Sequence, residues 1–544
     1  MNLNSIKKSI KGDFTGGLTA AIIALPMALA FGLQSGLGPE YGLYTAIILA
    51  IIASLIAGTK TLISDPTGPM TIVAATIIAG ASFSMNPETA WPNIIATFAL
   101  AGLFQIVFGL IKVAQYVKYI SYPVLSGFMG GIGIIIILFQ WHSFFGTERP
   151  GGIIDIISDL HNPLLSPDLS SLILGGSTLT LIYLIPLISK KIPAGLLALI
   201  IGTFISFLLD PTFNTIGKIP NNLPEFEGAK LLNFDFTNIS SVIVGALTLA
   251  GLGTIDTLLT SVVADNVTKT KHNGNRELIG QGLGNFVSSL FGGIPGAGST
   301  TGTVANIKSN GTSNISGIIK GLILLVVLLG LGQYLQKVPI PVLSALLISV
   351  GIGIIDFKGM KRLIKIKNSD TLVLILVVAL TVFADLLVAV GVGMVLSSFF
   401  FMQRMGELVD QQSKQGNLAD IEKKLKIPEK IKDKIYDFEL DGPLFYGFSD
   451  QFKEQAEAIK DKDAIIINMS HVPYIDASGI YVLEEVITSF KDKNMDVILV
   501  GVKDHIFKQF EDLKVIPNTL AEEKAYNSIR SGLKYLKNQL ADEL

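Results

Sequence analysis

The sequence contains no cysteine, two tryptophans and five histidines, and it is short of charge for its 544 residues. Without cysteine there are no disulfides, thiol nucleophiles or thiolate-held metals. The histidines (His142, His161, His272, His471 and His505) form no H-E-x-x-H pattern, and no G-x-x-x-x-G-K-[ST] phosphate loop occurs, so neither a zinc hydrolase nor an ATP-driven pump is indicated. Charged residues make up 16% of the chain, against about 25% in ordinary soluble domains. A net charge of −2 excludes a broadly basic nucleic-acid binder, and no nucleic-acid partner is expected.

The shortage is uneven. From Gly406 to the end lie 26 acidic and 19 basic residues, 45 of the 86 charges, leaving an apolar body of 405 residues and a charged tail. A bilayer span needs about 20 mostly apolar residues. Segments of this kind run at about 14–34, 41–58, 92–111, 121–141, 167–189, 192–209, 238–263, 314–336, 338–355, 370–386 and 387–403, with a moderate one at 277–292 and two short ones at 67–81 and 299–307. Together they predict an α-helical multi-pass membrane domain of fourteen segments over residues 1–405.

Lysine and arginine set orientation. If the fourteen segments alternate and the N-terminus is cytoplasmic, 19 of the 23 basic residues of the body fall inside, among them Lys7, Lys8, Lys112, Lys118, Lys190, Lys191, Lys358, Arg362, Lys365 and Lys367; Arg149, Lys218, Lys230 and Lys337 fall outside. Dropping either short segment scrambles this partition. Both termini are therefore expected in the cytoplasm of a cell whose plasma membrane holds the body.

The short segments are the more informative ones. Paired broken helices in two inverted halves mark binding sites in secondary transporters. Here the halves are about 14–209 and 238–404, seven segments each. Ser64-Asp65-Pro66-Thr67-Gly68-Pro69 opens the short segment of the first half, and Gly293-Ile294-Pro295-Gly296-Ala297-Gly298-Ser299-Thr300 opens that of the second. Proline and glycine interrupt the helix, and each following half-helix starts with unbonded N–H groups and a positive dipole end. Two such ends facing each other make an anion site, with Thr67, Gly68, Gly298, Ser299 and Thr300 as candidate substrate-binding residues and Thr301 as a further hydroxyl donor. Ordinary turns between helices are the plainer alternative.

Polar residues inside spans are costly and need a reason. Asp256 lies mid-span in the first helix of the second half, with Thr260 one turn on and on the same face. No basic residue lies near it on that span. Three readings stand: a cation site completed by Thr260 and the unwound backbone at Gly298–Thr300, a proton-carrying acid, and a structural hydrogen-bonded acid. Asp385 and His142 read as residues near outer ends, His142 as interfacial, and Gln105 and Asn285 as helix-packing hydrogen bonders.

Beyond a polar linker at about 406–433, residues 434–544 read as a small α/β domain. Strands are predicted at 464–469 and 495–501, parallel to each other, and helices at 478–493 and 505–513. Asp476 or Ser478 would cap the first helix. Capping accounts for both residues, and a phosphorylated Ser478 is the alternative.

The chain resembles the SulP (sulfate permease) anion transporters with a C-terminal STAS domain. The resemblance rests on Gly16–Ala21 leading to Pro26 and Ala28–Gly32, the Asp65–Pro69 turn, Gly217–Pro224, the Asp256 helix, Gly296–Asn306 and the Asp476–Gly479 turn. Ile63–Met70, Val263–Thr268 with His272-Asn273, and Gly293–Gly298 are similar to the sodium-dependent bicarbonate branch of that family, the BicA type. This resemblance implies a seven-plus-seven inverted repeat, a core domain moving against a gate domain, a homodimer, and Na+-coupled symport of bicarbonate by alternating access. Carried over, Thr67 and Ser299 would bind bicarbonate, and Asp256, Thr260, Gly298, Ser299 and Thr300 would bind Na+; no organic cofactor and no enzymatic activity are expected. Many family members have an arginine in the second half-helix, where Gly302 stands here, which implies that the bound cation replaces that charge. Proton- or sodium-coupled sulfate or dicarboxylate transport, an anion channel, and a receptor signalling through the STAS domain are the rivals.

Overall fold

The structure, a computed structural model, describes all residues except 1–2, 85–86, 151, 190–192, 210–212, 218, 221, 367, 385, 413, 416–432, 446–448, 460 and 543–544. Asp385, Lys190, Lys191, Lys218, Lys367 and most of the expected linker therefore lie outside the described residues, as do the side chains of Lys7 and Lys8. The chain divides into two compact units, Met1–Ser397 and Ser398–Leu544.

In the first unit every one of the fourteen apolar segments is a helix. The first half supplies α1 (Leu3–Ser35), α2 (Pro39–Ile56), the two-residue strand β1 (Ser64–Asp65), α3 (Gly68–Ser84), α4 (Pro87–Leu110), α5 (Tyr122–Phe145), α6 (Leu169–Ile188) and α7 (Ala194–Leu209). The second half supplies α8 (Ile239–Thr268), α9 (Gly274–Ser289), β2 (Ala297–Gly298), α10 (Thr300–Lys308), α11 (Ile315–Leu335), α12 (Ile340–Ile354), a short α13 (Phe357–Ile366), α14 (Ser369–Phe383) and α15 (Leu386–Gln412), whose residues from Ser398 on belong to the second unit. Among the described residues eight helices are long and apolar enough to cross a membrane, nine if α12 and α13 count as one bent span. The half-helices fall short for a physical reason. At 1.5 Å per residue, the 17 residues of α3 and the 9 of α10 reach about 25 and 14 Å, against a hydrocarbon core about 30 Å thick.

The element order helix–helix–strand–half-helix–helix occurs in both halves and positions the site. Helices α1–α4 pack with α8–α11, whereas α5, α6, α7, α12 and α14 pack mainly with one another. Small residues allow the tightest crossing within the first group. A Cβ on Gly102 of α4 would meet the Gly282 carbonyl of α9 at 2.6 Å, and a Cβ on Gly282 would meet the Gly102 carbonyl at 2.5 Å, so the two backbones touch as in other small-residue membrane interfaces. The two groups meet where α1 contacts α7 and α12 and where α3 contacts α5.

In the second unit five strands lie in the order β3 (Lys414–Gln415), β4 (Ile435–Asp441), β5 (Ala464–His471), β6 (Asp496–Val500), β7 (Ala525–Tyr526). β4 to β7 run parallel, with Ile466 of β5 opposite Ile498 of β6, and β3 joins antiparallel. The continuous apolar run of β5 reflects burial on both faces. Ile465 and Ile467 pack under the helix Ala477–Asp492, while Ile466 faces Leu533 and Leu536 of the last helix, Ile529–Asp542. Asp476, not Ser478, caps Ala477–Asp492: its Oδ1 accepts from the Gly479 N–H at 2.7 Å.

Candidate functional site

The two helix breaks, whose paired residues lie 232 and 234 positions apart, meet as one antiparallel crossing. Ser64 pairs with Gly298 and Asp65 with Ala297. The Ser299 N–H donates to the Ile63 carbonyl at 2.7 Å, and the Ile63 N–H donates to Thr303 Oγ1 at 3.0 Å. Beyond the crossing each chain turns directly into its half-helix. In α3 the Thr71 N–H closes the first turn onto the Thr67 carbonyl. In α10 Ser299 is the cap, accepting from the Gly302 N–H at 3.2 Å. The N–H groups of Gly68, Thr300 and Thr301 precede the first intrahelical acceptors.

Both N-termini open on one cavity of about 550 Å³ at the junction of the two helix groups. Thr67, Gly68, Asp256, Gly298, Ser299, Thr300 and Thr301 line one side together with Phe31 of α1. Met129 of α5, Ile182 of α6, Pro193–Leu196 at the start of α7, and Ser349, Val350 and Ile354 of α12 line the other. Among the described lining residues Asp256 carries the one charge, and no lysine, arginine or histidine is present. The half-buried Asp256 accepts from the Thr67 hydroxyl at 2.7 Å. Thr260, one turn on from Asp256, sits behind the lining. It is fully buried behind the strand, donates to the Gly298 carbonyl at 2.9 Å and lies 2.8 Å from the Thr300 hydroxyl. Thr257 on the same helix accepts from the Gly298 N–H. The carboxylate, two hydroxyls and one carbonyl are all oxygen, the ligand type that hard cations take; among the described residues no three His, Cys, Asp or Glu side chains cluster for a transition metal.

A polar scaffold behind the crossing was not anticipated from sequence. Lys320 of α11, fully buried, donates to Asp65, to the Ala46 carbonyl at 2.7 Å and to the Ser64 carbonyl at 3.1 Å. Gln281 donates to Ser64 Oγ and to Glu277, which in turn accepts the Gly58 and Thr59 N–H groups. Asn285 accepts from the Gly296 N–H and donates both to its carbonyl and to Gln105, as expected of packing amides. The visible signal for Lys320 was a lone cation inside an apolar run. It belongs to neither membrane face, which removes it from the nineteen inside charges. Breaking a buried pair by removing one partner costs about 3–5 kcal/mol. Lys320→Met is expected to lower the thermal midpoint of the detergent-solubilised protein by several degrees, and Lys320→Met with Asp65→Leu to recover part of it. An unchanged midpoint in Lys320→Met would deny the pair a structural role.

One further expectation needs correction. Position 302 does not face the cavity: a Cβ there would point to Ile63, Ser299 Oγ and, at 3.3 Å, Asp65 Oδ2. The lack of positive charge in the cavity is a property of its whole lining, not of Gly302. His142, in the last turn of α5, is fully buried, with Nε2 3.1 Å from Asp159.

The sulfate permease family pattern matches residues 10–377, and the STAS domain pattern matches residues 426–530. A protein named bicarbonate transporter BicA from Picosynechococcus sp. is 40% identical over 472 residues, 84% of this chain and 82% of that one. The solved transmembrane domain of a cyanobacterial BicA superposes with a TM-score of 0.66 at 42% identity, covering 70% of this chain and 97% of that one. The SLC26A9 structure shares the fold across 99% of this chain and 92% of its own, with a TM-score of 0.83 at 19% identity.

Proposed function

From the premise that this chain belongs to the sulfate permease family and ends in a STAS domain, we propose that it imports bicarbonate by Na+-coupled symport and alternating access. Anion transport, not catalysis, is the activity of its relatives' kind. One observation carries the finer reading: two half-helix N-termini and a single carboxylate share a cavity without a described cationic side chain. Each helix end is worth about half a positive charge. With Asp256 ionised the cavity is near neutral and holds an anion poorly. With Na+ on Asp256 the two ends leave about one positive charge, which suits a monovalent anion. A divalent sulfate would leave a net charge in a low-dielectric site, which is costly.

The sequence of events follows. Na+ takes Asp256 with the oxygens of Gly298, Thr260 and Thr300, and bicarbonate takes the N–H groups of Gly68 and the α10 end with the Thr67 and Ser299 hydroxyls. Each ion strengthens the other by the same factor, because binding linkage is reciprocal. The group α1–α4 with α8–α11 then moves as core against the group holding α5 and α12 as gate. The two halves are read as inverted repeats, the protein as a homodimer in the plasma membrane, and both termini as cytoplasmic. Proton coupling is the second reading, since a lone carboxylate already holding a hydroxyl donor can also carry a proton.

Uptake of radiolabelled bicarbonate, sulfate and fumarate into proteoliposomes, with a Na+ gradient, a pH gradient or neither, tests this. Bicarbonate uptake only with inward Na+ is expected. Equal uptake under a pH gradient alone supports the proton reading, sulfate or fumarate uptake replaces the substrate, and flux without coupling indicates a channel.

A further inference from the structure

The linker helix α13, Phe357–Ile366, is the least like its neighbours. Its sequence FKGMKRLIKI carries four cations and no acid. At 100° per residue, Lys358, Lys361, Arg362 and Lys365 fall within one stripe about 100° wide, and all four are exposed. Gly359 and Leu363 on another face are buried against the protein. Between the two lies an apolar flank that nothing in the described chain covers, with Phe357 58% and Ile364 48% exposed. Among the described residues Lys358, Lys361 and Lys365 form no ion pair, and the flanking acid Asp356 is already taken by Tyr122, Ser126 and the Gly359 N–H.

The surroundings place this helix at the bilayer surface. A Cβ on Gly359 would meet the side-chain tips of Tyr122 and Asp356, so α13 lies against the N-terminus of α5. The 3-10 turn leading to α5 exposes Tyr116 and Tyr119, and Tyr122 is exposed too; Lys118 lies 5.1 Å over the Tyr119 ring. Interfacial tyrosines and lysines of this kind sit at headgroup depth. α13 also follows α12 directly, after a bend of 40°, and α12 contributes Ser349, Val350 and Ile354 to the cavity wall.

We propose that α13 is a docking site for anionic phospholipid headgroups, its basic stripe holding the phosphates and its Phe357–Ile364 flank resting on the acyl chains, so that lipid charge bears on the cavity wall through α12. Four cations on one stripe, three of them outside any ion pair among the described residues, select an anionic over a zwitterionic surface, and the apolar flank selects a lipid over a soluble anion.

The test uses the purified full-length protein and native mass spectrometry to count bound phosphatidylglycerol and phosphatidylcholine. The wild type is expected to bind phosphatidylglycerol at least about tenfold more tightly, each cation adding to the attraction. The variant Lys358→Gln, Lys361→Gln, Arg362→Gln, Lys365→Gln is expected to lose that preference, and Lys358→Arg, Lys361→Arg, Lys365→Arg to keep it. An undiminished preference in the glutamine variant overturns the proposal, as does its loss in the arginine variant. Displacement of the lipid by millimolar glycerol phosphate would make the stripe a site for soluble anions. A dimer weakened in the glutamine variant with lipid binding intact would assign the helix to contact between copies. Either result overturns the proposal. The readout does not depend on transport, so its failure is separable from failure of the symport reading.

Discussion

Asp256→Asn is expected to abolish Na+-driven bicarbonate accumulation while leaving anion binding in place. Asparagine keeps the size of the side chain and an acceptor for the Thr67 hydroxyl at 2.7 Å, so the crossing of β1 and β2 should survive. What is lost is the one described charge in the cavity. Without it the cation has two hydroxyls and a carbonyl and no counter-charge. Unit charges about 5 Å apart at an effective dielectric of about 20 interact by about 3 kcal/mol, which is on the order of a hundredfold in affinity. The anion gains from the same change: the half-helix ends are no longer opposed, so bicarbonate should bind without Na+. Uptake should therefore fall to the level of empty liposomes under a Na+ gradient, while exchange of internal for external bicarbonate continues and is indifferent to Na+. Full Na+-dependent uptake in this variant would sink the assignment of Asp256.

Reading the chain from sequence succeeded where the cause is local. Apolar length is a local property, and each of the fourteen segments is a helix. The breaks at Pro66 and Pro69 and at Pro295 and Gly296 are local too, because proline and glycine act on their own turn, and they mark where α3 and α10 begin. Asp256 showed itself by its cost in an apolar helix. The failures are contacts between distant elements. Nothing near Asp65 announces Lys320, 255 residues later, and a count of loop charges absorbed that lysine although its apolar neighbours on α11 exclude a loop. The direction of Gly302 depends on how α10 is rotated about its axis, which the β1–β2 pairing sets and no spacing within α10 reveals. Thr260 shares a helix face with Asp256 as expected, but its hydrogen bond to the Gly298 carbonyl comes from a segment 38 residues on and is not visible in the helix alone.

The hydrogen bond between Thr67 and Asp256 ties the two halves of the site together and yields the second large effect. Thr67 lines the cavity at the threshold of α3, where the symport reading puts the anion, and its hydroxyl proton is committed to the carboxylate. On the symport reading, a cation on Asp256 would compete for the same oxygens and free that proton to point at the anion. On that reading one hydroxyl would report the occupancy of one site to the other over a single bond. Thr67→Val keeps the volume and removes the donor. A hydrogen bond to a charged group is worth about 1.5–3 kcal/mol, and its removal acts with opposite sign on the two ligands. Asp256 loses a partner in the ion-free state, so Na+ should bind about tenfold more tightly. Bicarbonate loses a donor in the loaded state and should bind at least about tenfold more weakly. The factor by which each ion strengthens the other should shrink toward the part carried by charge alone. Calorimetric titration of each ion with and without the other measures both affinities and the factor. If both affinities fall together, Thr67 is a packing residue, and the coupling runs elsewhere in the cavity.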